Sequence, residues 1–331
     1  MKIIAIVCFF LFFSCSEKQN VSQNLKEFKV LNQISSPLKH FDPQLSTDLA
    51  SIIQLSKVYE SLYETHPYNA PFGLLPNLAE SLPEVSKDGL TYTIKVRKNI
   101  FFQDDPAFKG VKRKLFAEDF ATAFKRIADP KLVSPHYSYW KKHILGLSDF
   151  YQQNKRNDKT DYKIRIPGII ILDDHTLQIK IIRRNNLFLN ILSNIRTSPL
   201  PLEAIEFYKN DLSQVMIGTG PYILKKYVRK SQIIFERNSN YRDKYFPTTG
   251  DEKYASILKD YAGKKIPFID IIKVNIINES QSAWLNFLKG KLDYLEVPKD
   301  NMGDTLTPTN SISPKMKKKG TATRTQLLRR I

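Results

Sequence analysis

The chain has 331 residues, 42% of them apolar, which is enough for a real hydrophobic core and excludes a disordered protein. Its formal charge is +18, and where that charge sits matters more than its size. Seven basic residues (Lys315, Lys317, Lys318, Lys319, Arg324, Arg329 and Arg330) crowd the stretch from Ser311 to Ile331 with no acid among them. The remainder is scattered among acidic residues without an aromatic-interleaved pattern, so no nucleic-acid partner is expected.

The opening MKIIAIVCFFLFFSC places basic Lys2 before an apolar run from Ile3 to Phe13, then Ser14 and Cys15. Eleven apolar residues are too few to cross a bilayer, which takes about 20. The layout is that of a secretory signal over residues 1–14 that ends at a cysteine. Cleavage before Cys15 would leave one thiol and no internal disulfide, which suits acylation at Cys15. Residues 15–26 then read as a lipidated tether, and the expected location is the cell envelope, on its periplasmic side or its surface, as a membrane-anchored lipoprotein.

Past the tether, 27–31 alternates like a short strand, and Asp42-Pro43 sets a turn because proline fixes φ and restricts its predecessor. Apolar residues from Leu49 to Tyr63 recur at helical spacing and predict an amphipathic helix. LTYTIKV (90–96) alternates strictly after the turn residues Lys87-Asp88-Gly89, which predicts a hairpin strand. Residues 117–127 predict a helix with Glu118 and Asp119 in its first turn and Lys125 and Arg126 in its last, complementing the helix dipole. GIIILDDHTLQIKI predicts a hairpin turning at Asp173-Asp174, followed by helices over 187–195 and 203–208. Strands are expected over 222–227 and 232–236, and IDIIKVNIIN gives another. SAWLNFLKGKLDYLEV reads as helix, glycine cap and strand. The fold class is α/β in the mixed α+β sense, with hairpins rather than regular βαβ repeats.

Catalytic constellations are absent from the sequence. There is no zinc-type ligand spacing, no phosphate-binding glycine loop and no Gly-x-Ser-x-Gly elbow, so no enzyme activity, metal or cofactor is expected. The five histidines, His40, His66, His136, His143 and His175, never fall four apart on a helix face. Asp104-Asp105 and Asp173-Asp174 sit at turn signals, where aspartate bonds the local backbone. Gly218-Thr219-Gly220 precedes a strand and lacks the third glycine and the helix of a dinucleotide site.

Taken together, these blocks resemble the family 5 extracellular solute-binding proteins, the peptide receptors of bacterial ABC importers, and among them the oligopeptide-binding members. The resemblance runs through FDPQLSTDLAS with VYESLYE, then PNLAESLPEVSKDGLTYTIKVRKNIFFQD and FAEDFATAFKRIADPKLVSPHYSY. It continues with ILDDHTLQIKI, IGTGPYILKKYVRKSQIIFERNSNYR and IDIIKVNIINESQSAWLNFLKGKLDYL, covering roughly 41–297.

The resemblance implies a periplasmic-binding-protein-like bilobed receptor that holds an extended peptide as an added strand, with roomy pockets for side chains. It implies a first lobe from 27–45 and 168–267, an inserted subdomain over 46–167, the start of a second lobe over 268–300 and a truncated basic tail over 301–331. The implied partners are an oligopeptide ligand, an ABC permease of the inner membrane and the membrane itself through the lipid anchor, with the receptor a monomer. Carried over position by position, Thr47 and Leu49 lie where the family's first-lobe loop touches the peptide backbone. His136 stands where an aromatic residue commonly lines the cleft, and Tyr137 and Tyr139 are weaker candidates. Most second-lobe contacts, including the aspartate that meets the peptide amino group, would follow residue 331. A frameshift near Gly320 giving a truncated product is the expected reason, a deliberate short form the alternative. A second functional reading is a surface lipoprotein that binds an envelope or host polymer through basic patches, without transport; a third is an envelope hydrolase.

Overall fold

The computed structural model describes residues 28–69, 73–309 and 311–318. The secretory segment, Cys15, the tether and the tail from residue 319 lie outside the described residues. Eight strands make two four-stranded sheets: β1 (Val30–Ser35), β2 (Glu84–Val85), β3 (Thr91–Lys95), β4 (Ile169–Asp173), β5 (Thr176–Lys180), β6 (Tyr222–Val228), β7 (Gln232–Arg237) and β8 (Ile271–Ile276). The helices that matter to the site and the cores are α1 (Leu49–Leu55), α2 (Ala117–Ile127), α3 (Leu147–Lys155) and α4 (Ser280–Leu288).

The first sheet runs β1-β8-β7-β6. Alternation builds it: Ile233 and Phe235 of β7 and Ile272 and Val274 of β8 are buried on one face, against Phe41, Leu55, Tyr59 and Leu200. β1 lies parallel to β8 in unbroken register, from Val30 opposite Ile271 to Ser35 opposite Ile276. The other pairs are antiparallel. The second sheet, β2-β3-β5-β4, is antiparallel throughout. Tyr92 and Ile94 of β3 and Leu177 and Ile179 of β5 belong to a core with Phe120 and Phe124 of α2, Trp140, and Phe150 of α3. The start of α2 is closed by its own sequence, since the Phe116 amide donates to Asp119 Oδ2 at 2.8 Å.

Several elements differ from expectation. The helix expected over 49–63 stops at Leu55, because Val58 and Tyr59 enter the first core while Leu62 and Tyr63 enter the second. An extended strap therefore joins them, and it receives the Gly220 amide at the Val58 carbonyl (2.8 Å) and the Tyr222 amide at the Lys57 carbonyl (3.1 Å). A Cβ added at Gly218 would lie 2.0 Å from the Val58 oxygen, so the Gly-Thr-Gly sequence serves close backbone packing. Among the described residues the first strand begins at Val30, the helix after Leu187 is confined to Phe188–Ile191, and no strand forms after Gly290. Asp173 and Asp105 both act in turns, accepting from the His175 and Ala107 amides at 2.8 and 2.9 Å.

The expected lobe boundaries do not coincide with the sheets. A division at 167/168 separates β5 from β3, which pair from Thr91 opposite Lys180 to Lys95 opposite Thr176, because their buried positions share a face. A division at 267/268 separates β8 from β1 and β7, between which it is inserted.

A buried ion pair ties the two cores together. Arg126, at the end of α2 and fully buried, donates to Asp42 of the Asp-Pro turn and to Asn210. Asn210 Nδ2 in turn donates to Asp129 Oδ2 (2.9 Å), which also receives the Tyr162 hydroxyl (2.9 Å). Breaking such a pair leaves an uncompensated buried charge. Arg126→Met is expected to cost about 3–5 kcal/mol in urea unfolding. Arg126→Met combined with Asp42→Asn should lose less, because no buried charge then remains; an equal or larger loss in the double variant would refute this account.

Candidate functional site

The loop between the Asp-Pro turn and α1 is fixed from both sides. Asp42 Oδ1 accepts the Gln44 amide at 2.9 Å, Gln44 Nε2 donates to the Arg196 and Ser198 carbonyls at 3.1 and 3.3 Å, and the Ser134 hydroxyl donates to the Gln44 carbonyl at 2.7 Å. At the other end Asp48 caps α1, accepting the Ser51 amide at 2.9 Å and its hydroxyl at 2.8 Å. Between these anchors Thr47 stands exposed, and among the described residues no hydrogen bond engages its amide or carbonyl.

His136 braces this loop. Its Nε2 lies 2.9 Å from the Ser46 carbonyl oxygen, and Arg196 Nε lies 3.1 Å from that oxygen and 2.9 Å from the same ring nitrogen. Burial lowers the His136 pKa below 6.5, the Arg196 charge lowers it further, and the bond to Ser46 opposes both.

Beside the loop opens a cleft of about 1000 Å³. Its walls are the end of β1 (Ile34, Ser35), Leu49 and Ile53 of α1, the start of α4, and the segment from Tyr294 to Met302. Leu49 is thus in the cleft, while Thr47 and His136 stand outside its lining, two residues away along the chain and behind Ser46 respectively. Tyr137 instead stacks on Tyr151 with ring centroids 4.3 Å apart, and Tyr139 packs on His143 at 4.4 Å. Tyr294 lies in irregular chain and Met302 opens a single four-residue helical turn, Met302–Thr305, and neither setting gives apolar residues a period that a sequence reading can follow.

The free edge of β1 borders the same space. The Lys29 and Ser35 carbonyls accept from Ile271 and Ile277 of the β8 side at 3.1 and 3.2 Å, so the even-numbered residues turn their main-chain groups outward. Asp293 takes up those of Asn32, accepting its amide at 2.6 Å and donating to its carbonyl at 3.0 Å. By the same alternation the Ile34 groups face the cleft, offering one donor and one acceptor to a strand laid alongside.

The profile of the bacterial extracellular solute-binding proteins, family 5 middle region, matches residues 73–328. The chain belongs to this family. It is 30% identical over 169 residues to the periplasmic oligopeptide-binding protein OppA of Escherichia coli K12, covering 50% of this chain and 28% of that protein. It is 31% identical over 196 residues to the oligopeptide-binding protein AliA of Streptococcus pneumoniae, covering 57% and 27%. Among solved structures, the oligopeptide-binding OppAIV of Borrelia burgdorferi superposes with a TM-score of 0.65 at 24% identity, covering 84% of this chain and 49% of that one. Peptide-bound OppA of Listeria monocytogenes superposes at 0.66 with 18% identity, covering 84% and 48%. The fold is therefore that of the periplasmic oligopeptide-binding proteins, and the chain spans about half the length of these structures.

Because the fold holds His136 in its neutral form, its contribution to stability is full above pH 6.5 and is lost as pH falls through the depressed folded value. Between about pH 7 and about pH 5, His136→Gln should therefore lose less stability than the parent chain. Denaturation midpoints across that range check this, and identical pH dependence in both proteins would count against it.

Proposed function

We propose that this chain is the peptide-capturing, substrate-binding lipoprotein of a bacterial ABC importer, anchored in the envelope through Cys15. The observation that carries the reading is a cleft of about 1000 Å³ bordered by the outward-facing main-chain groups of Ile34, with the unengaged main chain of Thr47 two residues from its wall at Leu49. A peptide added along β1 would gain affinity from main-chain bonds while its side chains enter the open volume. In this reading the β1-β8-β7-β6 sheet is the core of the first lobe, the β2-β3-β5-β4 sheet with α2 is the inserted subdomain, and α4 begins the second lobe. The remaining partner is the inner-membrane permease, met by a monomeric receptor that carries out no chemistry on its ligand.

Short peptides of mixed sequence should raise the thermal midpoint, since a ligand at about 100 times its dissociation constant stabilises the native state by about 2.7 kcal/mol. Leu49→Asp should shrink the rise, and the rise should persist in high salt, unlike charge-driven binding of a polymer. An unchanged midpoint with every peptide would defeat the proposal. For the anchor, cells fed labelled palmitate should label the parent chain and not Cys15→Ser; label retained in that variant would place the lipid elsewhere.

A further inference from the structure

We infer, on the basis of the peptide-binding reading, that this cleft selects short zwitterionic peptides carrying an apolar side chain at the position beside α1. Leu49, Ile53, Tyr294 and Met302 all line the cleft and are 70%, 47%, 45% and 50% exposed. Large apolar side chains left open to water at a single place mark a surface shaped for an apolar occupant. They come from two separate parts of the chain, α1 and the 294–302 segment, and converge only here. Beside them lie the small Ala50 and Ala283, which leave the volume for a ligand side chain unfilled.

The charges around the cleft complete the argument. Among its described lining residues the only charged side chains are Glu296 and Lys299, both exposed and neither in an ion pair with a described residue. One acid and one base, three positions apart across Pro298, complement the free amino and carboxyl ends of a short peptide. A charged ligand side chain placed between Leu49, Ile53 and Met302 would instead lose water without gaining a counter-charge. Main-chain bonding at Ile34 is blind to sequence, so discrimination falls to this apolar wall.

Isothermal titration of the chain with Ala-Leu-Ala, Ala-Met-Ala, Ala-Ser-Ala, Ala-Lys-Ala and Ala-Glu-Ala tests the inference. The leucine and methionine peptides should bind about tenfold or more tighter than the lysine and glutamate peptides, as a shaped apolar pocket allows. Ile53→Asp should erase that gap, and Met302→Ala should narrow it, which provides a second comparison if the first variant does not fold. Blocking both ends of Ala-Leu-Ala should weaken it about tenfold. Equal affinity for all five peptides would overturn the selectivity while leaving peptide binding intact, whereas binding of none would overturn both. Concentration-dependent self-association abolished by Met302→Ala, without any peptide preference, would assign the apolar wall to a second copy of the chain and also overturn the inference.

Discussion

A full positive charge with no access to solvent, that of Arg126, holds the two halves of this molecule in one arrangement. Its guanidinium extends from the last turn of α2, the helix covering the second sheet, to Asp42 in the turn that leads into the first core. A salt bridge so deeply buried adds little net stability compared with an apolar pair. What it does fix is geometry, because both charges are left uncompensated in any other packing of α2 against the Asp-Pro turn. The Asp129, Asn210 and Tyr162 network extends the same constraint to the loops on either side.

The cleft inherits its shape from that constraint. Asp42 sets the turn, the turn sets the loop that carries Ser46 and Thr47, and Asp48, three residues before Ser51, closes the loop onto α1. His136 and Arg196 grip the Ser46 carbonyl from the other side. Leu49 and Ile53 thereby face open space on a short helix whose start is pinned, and not on a mobile loop. Affinity for an extended ligand depends on such preorganisation, since ordering the loop during binding would subtract from it.

Much of the local structure was legible from the sequence. The strict alternation of LTYTIKV and TLQIK gave β3 and β5, and the acid-first, base-last pattern around 117–127 gave α2 residue for residue. Where reading failed, the missing information was tertiary. Periodicity from Leu49 to Tyr63 records that residues are buried and not which core buries them, so the break after Leu55 left no local trace. The membership of β5 and β8 in their sheets depends on partners far along the chain, which no window contains. Of the candidate ligand contacts, Leu49 was placed in the cleft, whereas His136 turned out to brace the loop behind Thr47.

The parallel pairing of β1 with β8 also orders events in time. Lys29 and Asp270, which meet at its start, are 241 positions apart. During synthesis β1 emerges early and has no partner strand until β8 has been made, while every strand of the second sheet is already present by Lys180. Closure of so long a loop is slow relative to hairpin formation. Pairing along the site edge beside Ile34 therefore waits on the longest loop closure in its sheet.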